Sequence, residues 1–344
     1  MNFTDLQAEY GGFYNPRFEV RVGRANPETF TEADGLVSGL SIETALDRLN
    51  RVSFTLNGVF DPENRQFVAE YTETFEEGRL LEIRLGYGDT RKLVFRGRID
   101  TLQPKFPESS GPRVSVSGHD LLGGLTDGTG SGSWSETTLD TVVSDLVGAL
   151  DFRGRNIAGT DVSVTRLAHP ETSDYRFLSR LAEEYGFERF SRAGVFHFRE
   201  PQPDREPVLE LEYGRGLRSF DPSADGRKSD VGTVKVRHWD EKRKTEIVGT
   251  AEVTDGGSET RVHKTPVRST AEAERRANAI ARRLSKGLRS RGETLGIPDL
   301  EIGTVLDLDG LGDDHSGSYY VESANHRIDA GGYTTDFEVT EVVA

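Results

Sequence analysis

Residues His169 to Phe198 join an amphipathic helix to a hairpin, and a chain carrying that pair must supply a sheet for the helix to lie on. Ser173 is the expected N-cap, its oxygen accepting an orphan amide of the first turn. Asp174 then places a negative charge at the positive end of the helix dipole. Tyr175, Leu178, Leu181 and Tyr185 recur at helical spacing, with Phe177 beside the stripe. Gly186 is the stop, because glycine enters the left-handed cap without steric cost. Phe187 to Ser191 and Val195 to Arg199 read as two strands closed by Arg192, Ala193 and Gly194.

The preceding residues are mostly short alternating runs. Residues 1 to about 16 read as a polar arm, ordered only against a partner. Phe18, Val20 and Val22 alternate after Pro16, and a loop rich in Glu, Thr and Gly follows. Leu36 to Ile42 is extended, and Val52, Phe54 and Leu56 alternate before an Asn57-Gly58 turn. Leu80 to Gly86 and Lys92 to Ile99 flank a turn at Tyr87, Gly88 and Asp89. Residues 1–120 are therefore expected as one antiparallel β-barrel or sandwich. Leu121 to Ser133 reads as a linker. Its Gly128, Gly130 and Gly132 lack the Gly-Lys-Ser/Thr of a phosphate loop.

Glu136 to Leu150 predicts a helix with a one-sided stripe of Leu139, Val142, Val143, Leu146, Val147 and Leu150. With the helix and hairpin above, it makes residues 121–200 a small α+β domain. Pro201, Pro203 and Pro207 mark the next boundary. Val208 to Tyr213 and Val231 to Trp239 read as strands of a second β-domain, residues 201–344. Gly249 to Glu259 reads as a polar loop. Ser269 and Glu272 form a capping box that opens the longest helix, about 270–290. Its apolar face is Ala273, Ala277, Ile280, Ala281, Leu284 and Leu288. The opposite face holds Arg275, Arg276, Arg282, Arg283, Lys286 and Arg289. That basic face reads either as solvated or as a contact with an acidic neighbouring subunit. The fold class expected is mainly β with an α+β insert.

Charge narrows the function. The net charge is −15, with 58 acidic residues against 43 basic ones, of which only 8 are Lys. Acidic excess and scarce Lys fit a salt-adapted proteome, where a strongly charged surface stays hydrated. The same balance argues against direct nucleic-acid binding, which needs cation density. There is no Cys, which excludes disulfides and thiol chemistry. The first residues show no basic and apolar signal peptide, and no run of eighteen apolar residues exists for membrane insertion.

Four motifs in a fixed order resemble one family. The first is D-x-x-F-L-x-R-L-A-E-E-x-G, here Asp174, Phe177, Leu178, Arg180, Leu181, Ala182, Glu183, Glu184 and Gly186. The second is a strand–turn–strand string with Gly86, Tyr87, Phe95, Gly97 and Ile99. The third closes at Gly118-His119-Asp120 after Val114 and Val116. The last runs from Leu300 and Gly303 through Gly317, Tyr319, Val321 and His326 to Gly331, Gly332, Tyr333, Thr334 and Thr335. Together they are similar to the contractile-tail hub proteins, the phage late control protein D family and the amino-terminal, hub-like part of VgrG spike proteins.

The resemblance implies a homotrimeric baseplate hub of a contractile tail or injection system. Its two tube-like β-barrel domains would present six-fold symmetry to an inner tube, and its other end would receive a trimeric spike or spike-tip protein. Other baseplate proteins are implied as partners. The expected site is the virion or injection-particle baseplate, assembled in the cytoplasm. The competing reading is a β-rich carbohydrate-binding or adhesin module of a halophile.

No enzymatic constellation is evident. The seven His are scattered, with no pair at helical spacing around a Glu. His326 reads as a structural hydrogen-bonder. Asp307, Asp309, Asp313 and Asp314 lie in a glycine-containing loop that lacks the EF-hand's Gly and Glu positions, so an acidic hairpin tip is favoured over a calcium site. Glu183 and Glu184 point about 100° apart on a helix, unsuited to sharing a substrate. A non-enzymatic protein without cofactor or metal is expected.

Overall fold

The computed structural model describes residues 1–108, 111–222, 229–241, 243–254, 256–284 and 289–342. The first third opens with α1 (Phe3–Glu9). It continues through β1 (Pro16–Val22), β2 (Glu28–Thr31), β3 (Val37–Ala45), β4 (Arg51–Leu56), β5 (Phe60–Asp61), β6 (Gln66–Phe67), α2 (Ala69–Thr74), β7 (Leu80–Tyr87), β8 (Thr90–Lys105) and β9 (Arg113–Asp120). The middle contains β10 (Gly130–Thr138), α3 (Leu139–Val147), β11 (Gly154–Ile157), β12 (Ser163–Thr172), α4 (Asp174–Tyr185), β13 (Glu188–Arg192) and β14 (Val195–Arg199). The last third contains β15 (Leu209–Tyr213), β16 (Gly216–Asp221), β17 (Val231–Asp240), β18 (Thr245–Glu252), β19 (Glu259–Lys264), α5 (Thr270–Leu284), β20 (Arg289–Leu295), β21 (Val305–Asp309), β22 (Gly317–Asp329) and β23 (Gly332–Glu341).

Strands β22-β21-β15-β16-β20-β23 close into a six-strand barrel through the β22–β23 pairing. The first third adds the arc β2-β1-β7-β8-β9-β4-β3 to the same sheet. The hinge between the two is β22. One edge pairs with β23. The other pairs with β21 over Gly317–Tyr320 and then with β3 over Ser323–Ile328. A register shift against β23 between Val321 and Ser323 marks the changeover, as bulges do where a strand is re-aimed. One hydrophobic core, from Leu6 and Phe18 to Phe337 and Val339, fills both parts.

The middle third has its own core of Leu139, Val142, Phe177, Leu178, Leu181 and Phe196, among others. Here α4 follows the sequence reading residue for residue. The Arg176 amide donates to Ser173 Oγ, and Gly186 ends the helix at φ 73°. Ser173→Ala is expected to cost about 1 kcal/mol through the lost cap, read as a lower urea midpoint.

Several sequence expectations are corrected. The first sixteen residues are not an arm awaiting a partner. Asn2 caps α1 in a full capping box, Leu6 and Tyr10 are buried, and the terminal amine donates to the Val208 carbonyl. Two apolar residues four apart suffice to dock one helical face. The linker at 121–133 is partly ordered: Leu121, Leu122 and Leu125 are buried in a 3-10 turn, and β10 begins at Gly130. The helix expected from Glu136 starts only at Leu139, because β10 runs through Thr138 to pair with β12. The loop expected after Val22 contains β2, and the loop expected from Gly249 begins only after β18.

Strand β17 lies in neither barrel part. It is central in a separate β18-β17-β19 sheet covered by the alanine face of α5. The basic face of α5 is partly paired within the chain, while Arg282 and Arg283 remain exposed. Arg275 pairs with Asp161, Arg276 lies 3.8 Å from Glu184 and Arg283 3.7 Å from Glu183. Lys286 and Leu288 lie outside the described residues.

Candidate functional site

The motif residues gather at junctions between structural units rather than around one open pocket. Tyr87, at the end of β7, stacks on Tyr333 of β23 with ring centroids 5.7 Å apart. Its hydroxyl donates to the Gly296 carbonyl at 2.9 Å. Tyr10 and Phe13 from the N-terminal segment close on the same ring at 5.7 and 5.3 Å. Beneath, His326 Nδ1 lies 2.9 Å from the Tyr333 hydroxyl and 3.0 Å from Thr335 Oγ1. Thr335 Oγ1 in turn accepts the Ile297 amide. Burial holds the His326 imidazole down to about 4, so the neutral ring serves as acceptor. Burial likewise pushes the Tyr87 and Tyr333 hydroxyls up. Tyr10 donates to Asp299, which also meets Lys92. Residues from three distant parts of the chain are thus locked into one aromatic and polar plug.

A second junction ties the middle unit to the arc. Asn50 is buried between them: its Oδ1 accepts the Ala45 amide and its Nδ2 donates to the Ser191 carbonyl at 2.7 Å. Its backbone amide donates to Asp120, which also accepts the Leu122 amide and so caps the 3-10 turn. Burial pushes the Asp120 carboxyl up to about 7 against the opposing pull of those two amides and of Arg189. The third junction joins the middle unit to the barrel. Arg199 donates to the Gly303 carbonyl at 2.8 Å and lies over the Phe190 ring, and Tyr320 donates to Glu188 at 2.7 Å.

The remaining motif residues shape the elements that meet there. Asp174 contacts His169 Nε2 at 2.9 Å, and Phe177 lies between the His169 and Trp134 rings. Leu178 and Leu181 are fully buried in the middle core. Gly86 sits on β7 against the Thr90 and Arg91 backbone, and Gly97 on β8 beside buried Phe95. Gly317 and Gly332 open β22 and β23. Tyr319 packs edge-on against Phe220, and Val321 is fully buried at the β22 changeover.

The surfaces are mostly acidic. Glu210 stands opposite Asp307 and Glu212 opposite Asp309 across the parallel β15–β21 pair. Like charges placed directly opposite destabilise a sheet; here Arg215 lies 4.0 Å from Glu212. A cleft of about 480 Å³ on the outer sheet includes Glu43, Asp221, Glu293, Asp336 and Glu338 beside Arg48 and Arg291. Among the described residues no group of three His, Asp or Glu has the arrangement of a metal site. In the Asp307–Asp314 loop, Asp307 accepts from Ser318 and Asp309 from the Gly310 amide. Exposed aromatics are Tyr14, Tyr213, Trp239 and Phe106, the last clustered with Phe60 and Phe67. Among the described residues no helix is long and apolar enough to cross a membrane.

Sequence reading missed Asn50, Arg189, Arg199, Gly296 and Asp299. An isolated Asn or Arg next to a strand carries no spacing signal, and its importance depends on what folds over it. Tyr10 was legible in principle, four residues after Leu6.

A family model described as the Alg8 N-terminal domain matches residues 28–330. No curated protein matches the sequence. Among solved structures, the prophage MuSo2 43 kDa tail protein from Shewanella oneidensis is similar at a TM-score of 0.71 and 15% identity, over 94% of this chain and 98% of that one. The tail protein from Neisseria meningitidis MC58 is similar at 0.68 and 14% identity, over 95% and 97% of the two chains. A chain of the Francisella PdpA-VgrG complex is similar at 0.61 and 12% identity, over 97% of this chain and 60% of that one. At such identities the likeness is one of fold, and the fold is that of tail proteins.

Proposed function

The chain belongs to the Alg8 N-terminal domain family, and from its fold we propose that it is a structural baseplate hub of a contractile tail or injection particle. It is of the late control protein D type, the kind that also forms the amino-terminal part of VgrG. As a homotrimer it joins a hexameric inner tube to a trimeric spike. The observation that carries the proposal is the whole-chain likeness to a phage tail protein, 94% of this chain against 98% of the other.

The physical logic is symmetry matching. A trimer presents six equivalent modules only if each chain bears two, and the closed barrel and the arc joined to it through β22 are the candidate pair. The edge of β2, unpaired in the described chain on its outer side, is then covered by a neighbouring subunit. The junction residues act by rigidity, holding the modules in one relative pose. The acidic β15–β21 face supplies contacts to basic groups of a partner. The hub turns over no substrate. It is assembled in the cytoplasm and ends in the particle baseplate.

Light scattering in concentrated salt is the test. The expected mass is about three times the 38.1 kDa of one chain. A monomer that persists at micromolar concentration in the presence of its own tube and spike proteins would overturn the hub.

A further inference from the structure

A cleft of about 400 Å³ opens where α4, α5 and β13 meet, within the range of ligand pockets. Its floor is apolar: Leu46, Ala182, Phe187, Pro201 and Ala279. Gly186 keeps the two helices close, since a side chain there would start 2.9 Å from the Ala279 methyl. Three guanidiniums, Arg189, Arg282 and Arg283, and three carboxylates, Asp47, Glu183 and Glu188, also line it.

The carboxylates are already engaged. Glu183 lies 3.7 Å from Arg283. Asp47 lies 3.5 Å from both Arg48 and Arg289. Glu188 accepts the Tyr320 hydroxyl and lies 3.9 Å from Arg199. Two of the cations are not matched in this way. Arg282 forms no ion pair among the described residues. Arg189 is only 7% exposed, donates through Nη2 to the Asp47 carbonyl, and lies 4.3 Å above the Tyr175 ring. Its Nη1 is buried and has no hydrogen-bond partner among the described residues. Asp120, which feels the charge of Arg189, is occupied by the Asn50 and Leu122 amides. An exposed, unpaired guanidinium beside an apolar floor favours a ligand that pairs an apolar group with a carboxylate.

We propose that this cleft is a docking site for a peptide segment of a partner protein that presents a large apolar side chain next to a carboxylate. The apolar side chain fills the floor between α4 and α5. The carboxylate is taken by Arg282, where a charge-assisted bond is stronger than a neutral one. The site goes beyond the hub reading and would stand without it.

The test titrates the full chain with two peptides, acetyl-Gly-Phe-Asp-Gly-amide and acetyl-Gly-Phe-Asn-Gly-amide, followed by saturation-transfer NMR. The acidic peptide is expected to half-saturate near about 1 mM, with the amide peptide at least about tenfold weaker. Arg282→Glu should bring the acidic peptide down to the level of the amide one with an unchanged circular dichroism spectrum. Ser179→Trp, at the mouth, should abolish both. Equal binding of the two peptides, or acidic-peptide binding unaffected by Arg282→Glu, overturns the proposal. So does the absence of any saturation up to about 10 mM.

Discussion

Gly296→Ala is expected to destabilise the fold by about 3 kcal/mol, the upper end for overpacking a closed core. A Cβ at this position would lie 2.0 Å from Cγ of the Tyr333 ring, and the ring has nowhere to go. Tyr87 stacks on one side of it, and His326 holds its hydroxyl. The Gly296 backbone is pinned as well, donating to the Tyr333 carbonyl and accepting from the Tyr87 hydroxyl. Calorimetry should show a melting temperature lower by roughly 6 °C or more, at 2–4 °C per kcal/mol. Gly111→Ala is the control, because nothing lies within 4 Å of its Cβ and the change should stay within about 0.5 kcal/mol. Adding Tyr333→Leu to Gly296→Ala should recover part of the loss. Additive effects of the two changes would show that the clash is not the cause.

Acid should destabilise the protein through its buried histidines. Burial holds both His326 and His197 down to about 4, and for His197 the charges of Arg192 and Arg199 add to that effect. Both rings are therefore neutral in the fold and readily protonated in the unfolded chain. Their contribution is complete above the ordinary histidine range near 6.5 and is lost as pH falls through about 4. Each contributes roughly 3 kcal/mol by linkage. Asp120 works in the opposite sense. Its raised value of about 7 means that its contribution is present below the ordinary carboxylate range and is lost as pH rises through 7. Two histidines outweigh one carboxyl, so urea midpoints should fall steadily from pH 6.5 to pH 4. His326→Gln should be less stable at pH 7.5 and show a shallower decline. A decline as steep as that of the parent would rule out His326 as a source.

Helix α4 was readable to the residue because its cap at Ser173, its stripe and its stop at Gly186 are all local. The β7–β8 hairpin was readable because alternation and the turn at Tyr87, Gly88 and Asp89 are also local. Strand β10 was not, because its side chains are mostly exposed and leave no apolar period to detect. The N-terminal helix was not, because the strand that receives it, β15, lies some two hundred residues on. The basic face of α5 looked unpartnered because its carboxylates belong to α4 and to the turn at Asp161.

By itself the sequence determined the elements with strong local signals, such as α4 and the β7–β8 hairpin, the acidic surface and the order of the tail-hub-like motifs. These follow from neighbours within a few residues of one another, where spacing, capping and turn residues act directly. Only the tertiary structure decided that β22 serves two β parts at once, that Tyr87, Tyr333 and His326 form one plug, and that Asn50 fastens the middle unit. Such pairings are set by burial and by hydrogen bonds between residues far apart in the chain, whose desolvation is offset only once the partner is in place.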